Sequence, residues 1–393
     1  MVETTVRIYL DYNATSPPAQ EVVDRVALLM RETYGNPSSI HAYGQAAKAV
    51  LDEARAAVAR LIGAEPGEVV FTASGTEADN LALRGAAEAL EPSSRRHIVT
   101  SGLEHEAVLT TCRALARRGW SLTELRTGPD GIVTTEALEA AVTPETGLVA
   151  IMHANNEIGV IQPIAELAAI ARRAGALFHT DAVQSVGKIP VSVRSLGVDT
   201  LALSGHKFGG PKGTGALWVR RGVRLVASLT GGRQERNRRA GTENVPALAG
   251  LGVAADLAAA RLPESGPRLR ALRDELEAGT LASVPGTAVN GDRERRVPNT
   301  SSLSFDGIEA ESLLIALDLE GIAVSTGSAC SSGSLEPSHV LRAMGLTETR
   351  ARNSIRFSLG LATTADEIAA VVAVLPALVT KLRRLGRTAA ALG

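Results

Sequence analysis

One cysteine of this chain lies in a run of small polar residues that offers no apolar surroundings. Cys330 is in the middle of STGSACSSGS, residues 325–334, and the chain has one other cysteine, Cys112. Free cysteine is normally a small buried hydrophobic residue, whereas a Gly/Ser run is typical of a flexible or solvent-facing loop. The run is therefore either a linker with an incidental thiol or a loop that carries the thiol to its place of reaction.

Other candidate residues for chemistry come directly after short β-rich runs. They are Gly75 and Thr76 at the start of a helix, His105, Asp181 with Gln184 one turn on, and Lys207 before a glycine-rich turn. Taken singly, each has an ordinary explanation: a helix cap for the threonine and aspartate, a core or surface position for the histidine, and a solvated charge for the lysine. Together they match what pyridoxal phosphate requires. The lysine amine bonds the cofactor aldehyde, the aspartate keeps the pyridine nitrogen protonated, an aromatic face stacks on the ring, and the helix end binds the phosphate.

Rival sites lack their motifs in this sequence. No G-x-G-x-x-G follows a strand with an acidic residue about 20 positions later, and GLGVAA at residue 250 lies within a helical pattern. No G-x-x-x-x-G-K-[ST] occurs, which excludes a P-loop. The two cysteines cannot form a disulfide scaffold, and neither has a spacing typical of a zinc site, so no metal is expected.

The bulk composition is that of an ordinary globular protein. The chain has 393 residues, of which 45% are hydrophobic and 21% charged, enough for two domains. Lys and Arg total 41 against 42 Asp and Glu, so no net field attracts nucleic acid or an anionic membrane. The first thirty residues have no signal-peptide pattern, and no uninterrupted apolar stretch of about 18 residues occurs. We expect a cytoplasmic protein without nucleic-acid or membrane partners.

The elements that must position these residues alternate between strand and helix. Helical YGQAAKAVLDEARAAVARLIGA precedes the strand-like GEVVFTAS, and the alternation continues through HIVTS, ALFHTDAV, DTLALSGHK and GALWVRR. This order predicts an α/β fold with a mainly parallel sheet whose ligands bind at the carboxyl ends of the strands. Near residue 262, RLPESGPRLRALRDELEAG predicts a long exposed connecting helix. We therefore expect a large domain over 16–262 and a smaller α+β domain formed by 1–15 and 263–393.

The motifs LSGHKFGGPKGTG and STGSACSSGSLEPSHVL resemble those of the cysteine desulfurases, pyridoxal-phosphate enzymes of the aminotransferase class V superfamily. The resemblance extends over nearly the whole chain and includes YLDYNATSP, YGNPSSIH, FTASGTEADNLAL, HANNEIGVIQPI, HTDAVQSVGK, RAGTENV and IRFSLG. It implies a transferase of fold type I that acts as a homodimer, with the PLP-binding site in the large domain. It also implies conversion of L-cysteine to L-alanine, with the sulfur passing as a persulfide to an acceptor protein.

Carried over by position, the resemblance assigns the reacting groups. Lys207 becomes the cofactor lysine, Asp181 the partner of the pyridine nitrogen, and His105 the ring that stacks on the cofactor and moves protons. Cys330 becomes the catalytic cysteine, so the Gly/Ser loop gives its thiolate mobility. Cys112, in a helical pattern, is interpreted as inert packing.

The resemblance also assigns the residues that hold cofactor and substrate. Gln184 would bond the ring hydroxyl, and the phosphate would be held by Gly75, Thr76, Ser204, His206 and, from the other subunit, Thr242. Asn155 and Arg356 would hold the substrate carboxylate, the arginine through a bidentate fork, with Asn155 also close to the cofactor.

The sequence departs from the family pattern at Arg233 and Asn237, where glycines are usual. Asparagine tolerates a positive φ better than arginine does, so the local geometry and the contact of Thr242 across the dimer are open. A selenocysteine lyase or another β-lyase of the same fold is the alternative enzyme, and a silent sulfur-carrier subunit is the non-enzymatic one. The pathway, whether iron–sulfur cluster assembly, tRNA thiolation or DNA sulfur modification, is not specified.

Overall fold

The computed structural model describes residues 7–326 and 337–392, with side chains up to residue 386. In this part of the chain the strands are β1 (Ile8–Tyr9), β2 (Val69–Thr72), β3 (His97–Ser101), β4 (Ser121–Leu125), β5 (Thr146–Ala150), β6 (Leu177–Asp181), β7 (Thr200–Ser204), β8 (Gly215–Val219), β9 (Thr287–Val289), β10 (Thr300–Phe305), β11 (Ile322–Ala323) and β12 (Ser354–Ser358). The helices are α1 (Gln20–Glu32), α2 (Ala42–Leu61), α3 (Gly75–Leu90), α4 (Glu106–Ala116), α5 (Thr135–Ala141), α6 (Ile164–Arg173), α7 (Val193–Leu196), α8 (Gln234–Asn237), α9 (Val245–Ser283), α10 (Ala310–Leu319), α11 (His339–Ala343), α12 (Glu348–Arg352) and α13 (Ala365–Leu392).

The central sheet has seven strands in the order β2-β8-β7-β6-β5-β3-β4. Strands β3 to β7 run parallel to their neighbours within this group, and β8 is antiparallel to both β2 and β7. The expected α/β fold with a mainly parallel sheet is confirmed. The reason is visible in the strand sequences: β3, β5, β7 and β8 are buried at every position, as strands covered on both faces must be.

Helices cover both faces of this sheet. Val99 of β3 belongs to the same apolar cluster as Val58 of α2, whereas its neighbour Ile98 belongs to a cluster with Val108 of α4. Successive strand residues point to opposite faces, so α2 and α6 form one layer and α3 and α4 the other. The carboxyl ends of β2, β3, β6 and β7 are left uncovered by these layers and are available to carry a site.

The remaining strands form two small sheets. β12, β10 and β9 are antiparallel in that order, and β1 pairs in parallel with β11. Leu10 joins an apolar cluster with residues of α9, β10, α10, β12 and α13, so the N-terminal strand packs with the last third of the chain. The division into domains over 16–262 and over 1–15 with 263–393 stays a prediction, and its boundary lies inside one continuous helix, α9.

Helix α9 differs from its prediction in length and in exposure. It spans 39 residues, Val245–Ser283, with Pro263 and Pro267 in its interior. The expected exposed connector is buried on one side, because Leu272 and Leu276 pack into the apolar cluster around β10 and β12. By length and composition α9 could cross a membrane, but 56% of the apolar window in this helix is buried against the described part of the protein, as in a core helix.

Candidate active site

A cavity of about 370 Å³ opens where the carboxyl ends of β2, β3, β6 and β7 meet. Nine of the twelve residues assigned from the sequence line it: Gly75, Thr76, His105, Asp181, Gln184, Ser204, His206, Lys207 and Arg356. The first eight lie at or just after the carboxyl ends of strands of the central sheet, which explains why they converge. Arg356 comes from β12 of the second sheet. Asn155 and Thr242 are not among the described lining residues, and Cys330 lies outside the part of the chain that the structure describes.

The first turn of α3 faces the cavity directly after β2. The Ser74 hydroxyl caps the helix by accepting the Glu77 N–H at 3.1 Å, which leaves the N–H groups of Gly75 and Thr76 without a partner inside the helix. A Cβ at position 75 would lie 2.7 Å from Val183 Cγ2, so glycine is needed for the helix start to come this close to the chain after β6. This positive helix end is suited to bind a phosphate.

Lys207 ends the turn after β7 and points to the N-terminal segment. Its Nζ donates to the backbone oxygens of Asn13 and Ala14 at 2.8 and 2.9 Å. The Ser16 N–H bonds the His206 oxygen at 2.8 Å from the other side, so residues 13–16 are fastened to the lysine turn. Burial and the nearby lysines lower the pKa of His206 to about 4, which keeps its ring neutral at physiological pH.

Asp181 is buried at the end of β6, across the cavity from the N-terminal segment. Its Oδ1 accepts the Val183 N–H at 2.8 Å. Burial raises the pKa of this carboxyl, while His105 and Lys207 lower it. Behind it, Asp79 Oδ1 lies 3.0 Å from His179 Nε2, and burial raises the pKa of Asp79 while lowering that of His179 to about 3. A cationic ring nitrogen beside Asp181 would compensate the buried carboxylate.

His105 caps α4 at the end of the loop that follows β3. Its Nδ1 accepts the Ala107 N–H at 3.1 Å, so in the neutral ring the proton is on Nε2. The residue before it, Glu104, is fully buried. Its Oε1 accepts from Ser101 and from the Met152 N–H, and its Oε2 has no partner among the described residues. Burial outweighs these hydrogen bonds and raises the pKa of Glu104 to about 8.

Arg356 closes the cavity from β12. Its Nη2 donates to Asp11 Oδ1 at 2.6 Å and its Nη1 to the Asn156 oxygen at 2.9 Å. Its Nε is buried and bonds none of the described residues. The guanidinium is thus fixed in direction and keeps a donor for an anionic ligand such as a carboxylate.

The structure does not bring Asn155 into the cavity; its neighbour Asn156 lines it instead. The Asn155 side chain is fully buried, with Nδ2 donating to the Leu103 oxygen and Oδ1 accepting from the N–H groups of Glu157 and Ile158. No donor or acceptor of this amide is left for a ligand. In contrast, the Oδ1 of Asn156 is buried without a partner in the described part of the chain. Sequence spacing alone could not tell which of two adjacent asparagines faces inward.

Asn13 lines the cavity, although no role was assigned to it from the sequence. Its backbone oxygen accepts from Lys207 and from Gln184 Nε2, and its Nδ2 donates to the Asn156 oxygen at 3.1 Å. Its Oδ1 accepts from Lys188 at 2.7 Å. The only signal in the sequence was its presence in the motif YLDYNATSP. Asn13 thus connects residues that follow strands of the central sheet, Lys207 and Gln184, with Thr300 of β10 in the three-stranded sheet.

Thr242 is exposed and lies outside the cavity of its own chain. The segment before it has left-handed backbone at Glu235, Arg236 and Asn237, with φ values of 45°, 57° and 63°, whereas Arg233 has φ −88°. The tolerant asparagine thus takes a positive φ and Arg233 does not.

A buried ion pair holds this strained turn. Glu235 bonds Arg55 through both carboxylate oxygens, at 2.6 and 2.7 Å, and also accepts the Phe71 N–H of β2. Four residues on, Arg239 bonds Glu77 in the first turn of α3 at 2.8 Å. The segment that carries Thr242 is therefore fastened to the helix start that faces the cavity.

Cys330 lies outside the described residues, but both neighbouring segments are anchored at the cavity. Ser325 exchanges backbone hydrogen bonds with Arg356. After the undescribed stretch, Ser338 donates to Glu157, and His339 Nε2 bonds the Glu104 oxygen at 2.9 Å. Cys112 is fully buried in α4, and burial raises the pKa of its thiol to about 12, as expected for a packing residue.

Comparison with known proteins gives a consistent answer. The sequence model of the aminotransferase class-V family matches residues 8–371. A cysteine desulfurase of Cereibacter sphaeroides is 50% identical over 381 residues, covering 96% of this chain and 97% of that protein. A cysteine desulfurase of Trichormus azollae is 48% identical over 378 residues, covering 96% and 94%.

A solved structure is similar over the same extent. It is described as a NifS-like protein, has a TM-score of 0.88 at 36% sequence identity, and the match covers 97% of this chain and 99% of that one. The similarity in sequence and in structure thus spans the cavity, both small sheets and the helices that connect them.

Proposed function

The chain belongs to the aminotransferase class-V family, among its cysteine desulfurases, and from this we propose that it uses pyridoxal phosphate to convert L-cysteine to L-alanine and passes the sulfur through Cys330 to an acceptor protein. The observation that carries the proposal is the meeting of Lys207, Asp181, His105 and Arg356 around one cavity. A protein that only binds sulfur has no need of all four groups.

The cavity fits this cofactor by the chemistry of its walls. The N-terminus of α3, with Gly75 and Thr76, offers N–H groups to the phosphate. At the other end, the buried Asp181 carboxyl suits a protonated ring nitrogen. Lys207 and Gln184 line the same cavity. When bound, the cofactor supplies an electron-accepting ring conjugated to the substrate amine.

Arg356 and Asn156 hold the substrate carboxylate. The buried Nε of Arg356 has no partner among the described residues and can donate to the carboxylate. The Asn156 amide would donate through its nitrogen, because its oxygen is an acceptor and cannot bond a carboxylate. Asn156 takes this role in place of Asn155, because the Asn155 amide is already hydrogen-bonded to backbone groups. A fixed carboxylate orients the Cα–H bond and the side-chain sulfur relative to Lys207.

Lys207 then removes the Cα proton. Its Nζ is held by two carbonyl oxygens, so it returns to a defined position once the substrate amine has displaced it. The Cys330 thiolate attacks the substrate sulfur, the carbon–sulfur bond breaks, and its electron pair returns to the alanine fragment. Lys207 and His105 supply protons to that fragment, and the sulfur stays on Cys330 as a persulfide.

The active form is a homodimer in this proposal. Met30, Tyr34, Ile40 and Tyr43 are exposed at 69, 73, 94 and 60%, an apolar patch that a second copy would cover. This patch is continuous with the segment before Thr242, since Pro37 and Ser38 share a surface pocket with residues 233–236. A partner seated there would receive Thr242 at its phosphate site. We place the enzyme in the cytoplasm, and the pathway that it serves, with iron–sulfur cluster assembly among the candidates, stays open.

A labelling experiment, one variant and one control variant test this function. Borohydride reduction and peptide mapping of the cofactor-loaded protein should place the label on Lys207; a label on Lys188 would refute the assignment. Cys330→Ala should keep the visible cofactor band but lose alanine formation, whereas Cys112→Ala should keep both. Full cysteine desulfuration by Cys330→Ala would remove that thiol from the mechanism, and turnover restricted to selenocysteine would identify the lyase alternative. A purified protein that binds no cofactor would support the silent subunit.

A further inference from the structure

A second lysine, Lys188, lies one helical turn beyond Gln184 and reaches the same wall without lining the cavity. Its Nζ donates to Gln184 Oε1 at 2.5 Å and to Asn13 Oδ1 at 2.7 Å. Burial and the charges of Lys207 and Arg356 lower its pKa well below the usual value. Placing a lysine here is costly, and none of the steps above uses it.

The contacts with Asn13 and Lys188 fix the orientation of the Gln184 amide. The backbone oxygen of Asn13 is an acceptor only, so the amide atom that faces it must be the nitrogen, and the atom that faces the Lys188 Nζ is the oxygen. The amide nitrogen then faces the other way, where it donates one hydrogen to the Asn13 oxygen at 3.0 Å. Its second hydrogen has no acceptor among the described residues, and Gln184 lines the cavity. The side chain therefore presents an N–H, and not a carbonyl oxygen, to a ligand.

The same lysine is one of four residues that fix the Asn13 side chain. Its Oδ1 accepts from Lys188 and Asn299, and its Nδ2 donates to the Asn156 oxygen and to Thr300. Its backbone oxygen is then in place to accept from both Lys207 and Gln184. Lys188 is thus hydrogen-bonded to the two residues that support Lys207 and the Gln184 N–H.

We propose that Lys188 is a positioning residue that directs the Gln184 N–H toward an oxygen of the bound cofactor ring. The proposal rests on the proposed function, since it names pyridoxal phosphate as the ligand. The ring oxygen beside the aldehyde is anionic or shares a proton when the cofactor is bound, so an N–H donor stabilises it whereas an amide oxygen repels it. Without Lys188 the amide oxygen loses its donor, and only the hydrogen bond to the Asn13 oxygen holds the amide in this orientation.

The test compares Lys188→Met with Lys188→Arg and with Lys212→Met. Methionine keeps the length and removes the donor, arginine keeps a donor, and Lys212 is an exposed lysine in the turn after Lys207. Apoprotein of each variant is titrated with pyridoxal phosphate, and the visible absorption band is recorded. We expect cofactor affinity about tenfold weaker and a displaced absorption maximum in Lys188→Met, with Lys188→Arg closer to wild type and Lys212→Met unchanged.

A double variant separates positioning from general destabilisation. If Lys188 acts through the amide, Lys188→Met should have no further effect on cofactor affinity or the band once Gln184→Ala is present. Additive losses in the double variant, or a band unchanged in Lys188→Met, would overturn the proposal. If the wild-type apoprotein gives no visible band with pyridoxal phosphate, the proposed function itself fails, which distinguishes the two outcomes.

Discussion

The two walls of the cavity are built in different ways. The sheet wall consists of the residues that follow strands of the central sheet: Ser74, Gly75, Thr76, His105, Asp181, Gln184, Ser204, His206 and Lys207. The opposite wall consists of Asn13, Asn156 and Arg356. The sheet wall is assembled by neighbouring parallel strands, whereas the contacts of the opposite wall join residues 143 to 345 positions apart. In the proposed function the sheet wall would face the cofactor, and the opposite wall would face the substrate carboxylate.

This difference predicts a split in kinetic behaviour. Substitutions in the sheet wall should lower kcat or cofactor affinity, because they act on the reacting groups. Substitutions in the opposite wall should raise KM for L-cysteine, because they act on ground-state binding. Each of the following variants can break or sharpen that division.

Asp181→Asn should have the largest effect. The neutral amide cannot hold a proton on the ring nitrogen as the buried carboxylate does, so we expect kcat to fall by about 1,000-fold with KM within a few-fold. Steady-state alanine formation at saturating cofactor measures both. A rise in KM without a fall in kcat would place Asp181 on the substrate side and break the division.

Arg356→Lys should raise KM for L-cysteine by roughly 100-fold while kcat changes little. An ammonium cannot provide the planar fork that a bidentate carboxylate contact uses, and it cannot bond Asp11 and the Asn156 oxygen as the guanidinium does. The melting temperature of the variant serves as the control for folding. Equal losses in kcat and kcat/KM would show that the arginine acts in the transition state instead.

The two adjacent asparagines give a matched pair. Asn156→Ala should raise KM by about tenfold with little loss of stability, because its side chain faces the cavity. Asn155→Ala should reduce the free energy of unfolding by about 2 kcal/mol, because it leaves the N–H groups of Glu157 and Ile158 unsatisfied. Urea unfolding and steady-state kinetics of both variants check the pair. The reverse pattern would restore Asn155 as the substrate residue.

Glu104→Gln should have the smallest effect, and the effect should appear only when stability is measured as a function of pH. The folded-state pKa of Glu104 is raised to about 8 from its usual 4.5, so its protonated form is the one that the fold favours. The stability associated with that proton is complete below about pH 4.5 and is lost as pH rises toward 8. The variant is uncharged throughout. The melting temperature of the variant relative to that of the wild type should therefore rise by about 3 °C between pH 5 and pH 8.

The exposed Glu166→Gln is the control for the loss of one charge. Its melting temperature should follow the wild type across the same pH range. A constant difference between Glu104→Gln and the wild type would mean that Glu104 is ionised in the folded protein.

The sheet wall could be predicted from the sequence because each of its residues is placed by the strand next to it in the chain. A buried β-rich run followed by a glycine, a threonine, an aspartate or a lysine places that residue at the carboxyl end of a parallel strand. The pattern therefore identified Gly75, Asp181 and Lys207 without knowledge of strand order. Resemblance to the cysteine desulfurases added the roles, and the structure brings these residues to one cavity.

The opposite wall could not be derived in this way. Asn13 lies in a segment without regular structure, and long-range hydrogen bonds, among them those to Lys188, Lys207 and Asn156, hold it at the cavity. Asn155 and Asn156 have the same chemistry, so their order along the chain carries no information on which faces inward. The exposure expected for α9 was wrong for a related reason, because burial of that helix depends on strands that follow it by many residues.

The amino-acid sequence by itself determined the alternation of strands and helices, the family, and the residue types at the strand ends, since each depends on side-chain periodicity and local backbone preference. Only the tertiary structure decided which asparagine lines the cavity, how Arg356 is held by Asp11, and which way the amide of Gln184 is turned. These are fixed by hydrogen bonds between segments far apart in the chain, and such bonds exist only after the sheets have packed together.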